Sequence, residues 1–163
     1  MDALRSTLIA VLSATAAIAQ DSFSVNSGTG SSGLICAPWS CTPTALAAAR
    51  GFPLGLVVAG SGPEPRVLLL SVQPPVCLPV PGIGGALQVQ QPIVLFQDFL
   101  WGHIYVNSGP LPNTCSGWMG FGRLPWPSTL PAGFRVVAQT LSFHTANGIG
   151  LSAFSNAVEI TAL

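Results

Sequence analysis

The sequence predicts an all-β chain: an antiparallel β-sandwich of jelly-roll or immunoglobulin-like arrangement, with at most one short helix near residues 43–50. Three observations point there. The last third, residues 133–163, reads as two long strands meeting at Asn147-Gly148, a pair that tolerates the positive φ of a tight hairpin turn. Upstream, short apolar runs recur between Gly/Pro turns, in a chain that spends 18 glycines and 15 prolines on such punctuation. Four cysteines behind an export signal suit a disulfide-clipped extracellular domain.

Residues 1–19 carry that signal. Arg5 gives a weak positive start, Leu8-Ile9-Ala10-Val11-Leu12 the apolar centre, and Ala17-Ile18-Ala19 an A-x-A cleavage site before Gln20. The apolar run is shorter than the roughly 20 residues a spanning helix needs, and no later stretch reaches that length. After cleavage about 144 residues remain, a flexible segment over 20–33 and one β-domain over 34–163, long enough to bury a core without a metal. The expected location is secreted or at the cell surface, with the periplasm as the bacterial equivalent.

Ser22-Phe23-Ser24-Val25 reads as a first strand running into Gly28-Thr29-Gly30-Ser31-Ser32-Gly33, a turn without the G-K-[ST] ending of a phosphate loop. Next, Thr42 as N-cap, Pro43 at the first helical position and Gly51 past the end punctuate a two-turn helix over 43–50. Strands follow at 54–59, 67–72, 86–91, 93–99 and 101–106, separated by Gly60-Ser61-Gly62-Pro63, by Pro74-Pro75 and by residues 79–85. An eight-stranded outer-membrane barrel is disfavoured by this proline density and by the lack of a ten-residue dyad repeat. In the final strand, Phe154, Val158 and Ile160 share one face and Ser155, Glu159 and Thr161 the other. A short echo, Pro43-Thr44-Ala45-Leu46 to Gly51-Phe52 and Pro127-Ser128-Thr129-Leu130 to Gly133-Phe134, reads as a reused entry into a strand.

The cysteines, Cys36, Cys41, Cys77 and Cys115, allow three pairings; Cys36–Cys41, a clip around Pro38-Trp39, with Cys77–Cys115 is the favoured one. A four-cysteine zinc site lacks the paired C-x2-C spacing. Charged residues make up 6% of the chain, there is no lysine, and the net charge is zero. An average soluble domain carries roughly 25%. This argues against nucleic acid and anionic membranes as partners, because neutralising phosphates needs clustered cations and only Arg50, Arg66, Arg123 and Arg135 follow the signal. A surface without charge repulsion makes self-association or adhesion to neutral glycans physically easy.

The order Gly51-Phe52-Pro53-Leu54-Gly55-Leu56, then Gly84-Gly85-Ala86-Leu87-Gln88-Val89, Leu124-Pro125-Trp126-Pro127, Val136-Val137-Ala138-Gln139 and Phe154-Ser155-Asn156-Ala157-Val158 resembles a group of uncharacterised secreted bacterial proteins. Members join a signal peptide to one small, low-charge, Gly/Pro-rich β-sandwich with a Ser-Asn-containing last strand. The resemblance covers about residues 34–163. It implies fold and export and no activity.

Catalysis would have to draw on Asp21, Glu64, Asp98, Glu159, His103 and His144. A Ser-His-Asp triad has no G-x-S-x-G elbow behind it, two glycosidase carboxylates would come from a very small set, and no D-x-D cluster suggests calcium. The two histidines read as strand and turn residues with local hydrogen bonds. No catalytic residue, cofactor or metal is expected. The one binding constellation is Trp118, Phe121, Arg123 and Trp126, in a stretch whose Gly and Pro content argues against a regular central strand. It can form an exposed platform for sugar rings, or its aromatics can fold inward and cap the core. The sequence thus predicts a secreted, non-catalytic structural or interaction domain, with a carbohydrate-binding module as the alternative and an extracellular hydrolase behind both.

Overall fold

The computed structural model describes residues 22–27, 30–31, 40–60, 65–96, 101–104, 118–146 and 149–163. Every regular element among them is a strand. The first five are β1 (Ser22–Ser27), β2 (Gly30–Ser31), β3 (Thr44–Ala48), β4 (Leu54–Gly60) and β5 (Arg66–Ser71). Three short pieces follow, β6 (Leu78–Pro79), β7 (Ile83–Gly84) and β8 (Ala86–Leu87), then β9 (Ile93–Phe96) and β10 (Trp101–Ile104). The chain closes with β11 (Trp118–Leu124), β12 (Arg135–Ala146), β13 (Ile149–Phe154) and β14 (Val158–Ala162). The signal segment lies outside the described residues. Among the described ones no helix is long and apolar enough to cross a membrane.

One sheet has the order β10-β11-β4-β1-β2 and is antiparallel throughout. A second has the order β3-β14-β12-β13-β7, with β5 on the other edge of β12 and β9 beyond it. This second sheet is mixed rather than purely antiparallel, because β3 runs parallel to β14 and β7 parallel to β13. The main core takes Phe23, Val25, Leu54, Leu56 and Val58 from the first sheet and Leu46, Leu68, Val136, Ala138, Val158 and Ile160 from the second. On the opposite face of β5 and β12 a smaller core forms from Leu69, Val137, Phe154 and Ala157. A strap over residues 72–90 covers it with Val80, Ile83, Leu87 and Val89.

The hairpin expected in the last third is present. The pairing of β12 with β13 closes at Ala146↔Ile149, on either side of Asn147-Gly148, whose own conformation lies outside the described residues. The second arm is broken, however. Between Ala138↔Val158 and Leu141↔Phe154 the first arm holds two residues, Gln139 and Thr140, against three, Ser155, Asn156 and Ala157. The extra residue is a β-bulge, and it reverses which face the alternating side chains meet. Phe154 therefore packs in the smaller core while Val158 and Ile160 pack in the main one, correcting the common face read from the sequence.

Two further expectations are corrected. Residues 44–48 are a strand, not a helix: Leu46 and Ala48 are buried while Ala45 and Ala47 are exposed, a period of two. Pairing with β14 over Val158↔Thr44 to Ala162↔Ala48 outweighs a cap signal that could bind only a short helix to itself. Gly51 serves the following turn instead, at φ +86°. The stretch 118–124 is a regular strand with neighbours on both sides, β4 and β10. Its glycines fall opposite large residues, in the registers Trp101↔Gly122 and His103↔Gly120, with Phe121 opposite Gly102. The prolines begin only after Leu124, where the strand has ended.

Candidate functional site

The aromatic segment is split by the strand that carries it. Trp118 and Phe121 sit on β11 at the registers Trp118↔Gly60 and Phe121↔Val57, and their side chains lie outside the described residues. From Gly122 onward the burial alternates, so Arg123 and Pro125 are exposed while Leu124 and Trp126 enter the main core. The Trp126 side chain is only 4% exposed, and its ring lies 6.4 Å from that of Phe134 at a tilt of 48°. For this residue the inward arrangement holds: it is a core tryptophan, not an open stacking face.

Arg123 and Trp126 nevertheless meet at one place. Together with Gly51, Pro53, Pro125 and Pro127 they line an open groove of about 330 Å³. The Gly51 N–H donates to the Trp126 carbonyl at 2.8 Å and fixes the turn before β4 against the chain leaving β11. Phe52, between two lining residues, is 65% exposed. The groove offers one cation and several rigid apolar rings.

The scarce charges elsewhere are engaged in the fold. Arg50 donates from Nε to the Leu163 carbonyl at 2.5 Å and from Nη1 to the Leu130 carbonyl at 2.8 Å, tying the chain just past β3 to the residue just past β14 and to the turn before β12. Arg66 is buried and donates to Ser142 Oγ at 3.1 Å. Arg135 and Glu159 form an ion pair at 3.3 Å. Among the described residues no three His, Cys, Asp or Glu side chains gather where they could hold a metal. His103 and His144 are placed by register on β10 and β12, and Asp21, Glu64 and Asp98 lie outside the described residues.

The densest polar arrangement is one the sequence reading did not single out. At the bulge, the Gln139 side chain, fully buried, accepts from the Gln88 N–H at 2.9 Å and donates to the carbonyls of Ala86 and Ser155, each at 2.8 Å. Ala86 stands opposite Pro79, which has no N–H to give, so the amide supplies the donor the ladder lacks. Ser155 Oγ accepts from the Thr140 N–H at 3.0 Å. Gln88 Nε2 reaches the Ser40 carbonyl. On the other side of the bulge, Asn156 accepts from the Phe23 N–H at 3.1 Å and donates to the Phe23 carbonyl at 3.0 Å, standing in for a neighbouring strand. The signal was in the sequence: a glutamine after the apolar run Val136-Val137-Ala138, and a Ser-Asn pair between the last two strands.

The disulfide differs from the favoured pairing. Cys41 bonds Cys77, with Cα atoms 5.3 Å apart, so neither the Cys36–Cys41 nor the Cys77–Cys115 link forms. The bond ties the start of the strap to the chain entering β3, beside the Gln88–Ser40 contact, a proximity made by the fold and invisible in spacing along the chain. Cys36 and Cys115 lie outside the described residues. No protein-family model matches the chain, and no curated protein matches it either.

Proposed function

We propose that the chain is exported and acts as a non-catalytic structural or interaction domain, its two sheets facing each other as a β-sandwich across the main core. The observation that carries this reading is how the buried polar side chains are used. Gln139, Ser155 and Asn156 satisfy backbone groups at the bulge, and Arg50 satisfies two carbonyls, so these polar side chains are committed to holding strands together. Catalytic groups are ordinarily poised toward a cleft instead. The Cys41–Cys77 bond and the low charge fit life in an oxidising compartment outside the cell. The test is a panel of ester, glycoside and peptide substrates with the mature, oxidised protein. No turnover is expected; turnover abolished by His103→Ala or His144→Ala would overturn the reading. Recovery of exported protein beginning near Gln20 is the matching test of the signal segment.

A carbohydrate-binding role is the second reading, favoured by the meeting of Arg123, Trp126 and three prolines at one groove. With the indole buried, recognition there falls to the Arg123 guanidinium and the proline rims. Arg123→Ala should then remove glycan binding at this groove while leaving the melting temperature unchanged.

A further inference from the structure

A second cleft, sharing no lining residue with the first, lies where the strap begins. Arg135 and Val137 of β12 and Glu159 of β14 form its floor, and Gln73, Pro74 and Pro75 its wall, with Val72 at the side. Its volume is about 200 Å³. Pockets for drug-sized ligands begin at roughly 300 Å³, so the space suits one ring rather than a chain.

Three features set the chemistry of an occupant. The first is charge: Arg135 and Glu159 are the charged residues of the lining and cancel, so a ligand with net charge is paired by one and opposed by the other. The second is unspent hydrogen-bonding capacity. At 3.3 Å the ion pair is longer than the roughly 2.7–2.9 Å of a tight charge-assisted bond. Among the described residues Glu159 engages one of the guanidinium's five donors, and the Arg135 side chain is 69% exposed. A donor-only group thus stands beside an acceptor-only group, with the Gln73 amide nearby. A pair of adjacent hydroxyls matches this arrangement, since each can accept from Arg135 and donate to Glu159. The third is the wall. Val72 is 62% exposed, and with Pro74 and Pro75 it gives a rigid apolar surface for the C–H face of a ring.

We propose that this cleft binds a single neutral sugar ring, with Arg135 and Glu159 bonding its vicinal hydroxyls and Val72, Pro74 and Pro75 packing on its C–H face. The site is separate from the groove at Arg123, and the proposal does not rest on that groove binding anything.

The experiment is saturation-transfer NMR and calorimetric titration of the mature, oxidised protein. The probes are glucose, galactose, mannose and xylose, with glucuronate and glucosamine as charged counterparts. The expected dissociation constant for at least one neutral sugar is about 1 mM, the scale of a single small ring held by a few hydrogen bonds. Glu159→Gln and Arg135→Gln should each weaken it about tenfold, as loss of a hydrogen bond to a charged group implies. Arg123→Ala should leave it unchanged. Melting temperatures of all three variants should stay near the parent value, because an exposed ion pair contributes little to stability. No saturable binding of any neutral sugar overturns the proposal. So does binding that survives both cleft variants, and if Arg123→Ala then removes it, the binding belongs to the other groove.

Discussion

Replacing Gln139 by Leu keeps the volume and removes the hub at the bulge. Three backbone groups lose their partner at once: the Gln88 N–H and the carbonyls of Ala86 and Ser155. All three bonds are buried, so water cannot step in without opening the strap. A buried polar group left unpaired costs about 1–3 kcal/mol, and the added apolar surface returns part of that, for a net loss of about 3–6 kcal/mol. Native domains are stable by about 5–15 kcal/mol in all. The loss should appear as a fall of roughly 2 M in the urea midpoint, given a slope of about 1–3 kcal/mol per molar. Gln139→Glu sharpens the test because it places an oxygen where Nε2 donated, facing two carbonyls. Repulsion and burial favour the protonated carboxyl, so its folded pKa lies above the roughly 4.3 of the unfolded chain. The variant should be most stable below that unfolded value and lose stability as pH rises through the folded one. A Gln139→Leu loss below about 1 kcal/mol with an unchanged slope would refute the hub.

Gly82 and Gly85 both sit at left-handed φ, +80° and +77°, but an added Cβ meets nothing at Gly82 and lies 2.9 Å from the Phe154 carbonyl oxygen at Gly85. Thermal melts should show a loss of about 1–2 kcal/mol for Gly82→Ala and at least about 1 kcal/mol more for Gly85→Ala. Asn156→Asp turns the donor to the Phe23 carbonyl into an acceptor, so hydrogen exchange of β1 amides should quicken, with a loss of about 1–3 kcal/mol; unchanged protection of β1 would contradict the stitch. Non-reducing peptide mapping should recover Cys41 linked to Cys77, leaving Cys36 and Cys115 as each other's only partners within the chain, whereas a Cys36–Cys41 peptide would show the pairing to be wrong. Cys41→Ala with Cys77→Ala should cost about 3–4 kcal/mol for a separation of 36 residues. Denaturation midpoints should stay nearly flat from about pH 5 to 9, where only His103, His144 and the amino terminus have reference pKa values; a swing as large as that of a buried titrating group would point to a functional site.

What was legible in the sequence was local, and what was hidden was set by distant partners. The alternation in Val158-Glu159-Ile160 needs only neighbours, and the observed burial follows it. The face of Phe154 depends on one extra residue in its own arm relative to the opposite one, which no local pattern announces because Ser155-Asn156-Ala157 continues the chain without a glycine or proline. Residues 44–48 carry cap chemistry for a helix, yet they lie beside a strand more than a hundred residues away, and five parallel pairings decide the matter. Gly120 and Gly122 looked like breaks until their register opposite His103 and Trp101 supplied the reason for them. Of the two arrangements open to Trp126, the inward one follows from the alternation through Leu124 and not from the aromatic composition of the stretch.

The charge deficit and the bulge are connected. A chain with 6% charged residues cannot organise its interior around ion pairs, and desolvating ions would in any case consume most of what their attraction returns. Neutral amides avoid that cost and carry donor and acceptor together, which is what a backbone group at an irregular point of a sheet lacks. Gln139 and Asn156 are placed at such points, one where a proline and a bulge deprive the ladder of its partners, the other where the first strand meets the second sheet. Neutral side chains thus satisfy the backbone groups at the bulge, while the side-chain atoms Gln88 Oε1 and Thr140 Oγ1 stay buried without a hydrogen-bond partner among the described residues. Arg135, exposed, and Glu159, partly buried, line a cleft and pair with each other instead of with a buried backbone group, and they are the pair this economy leaves over for a ligand.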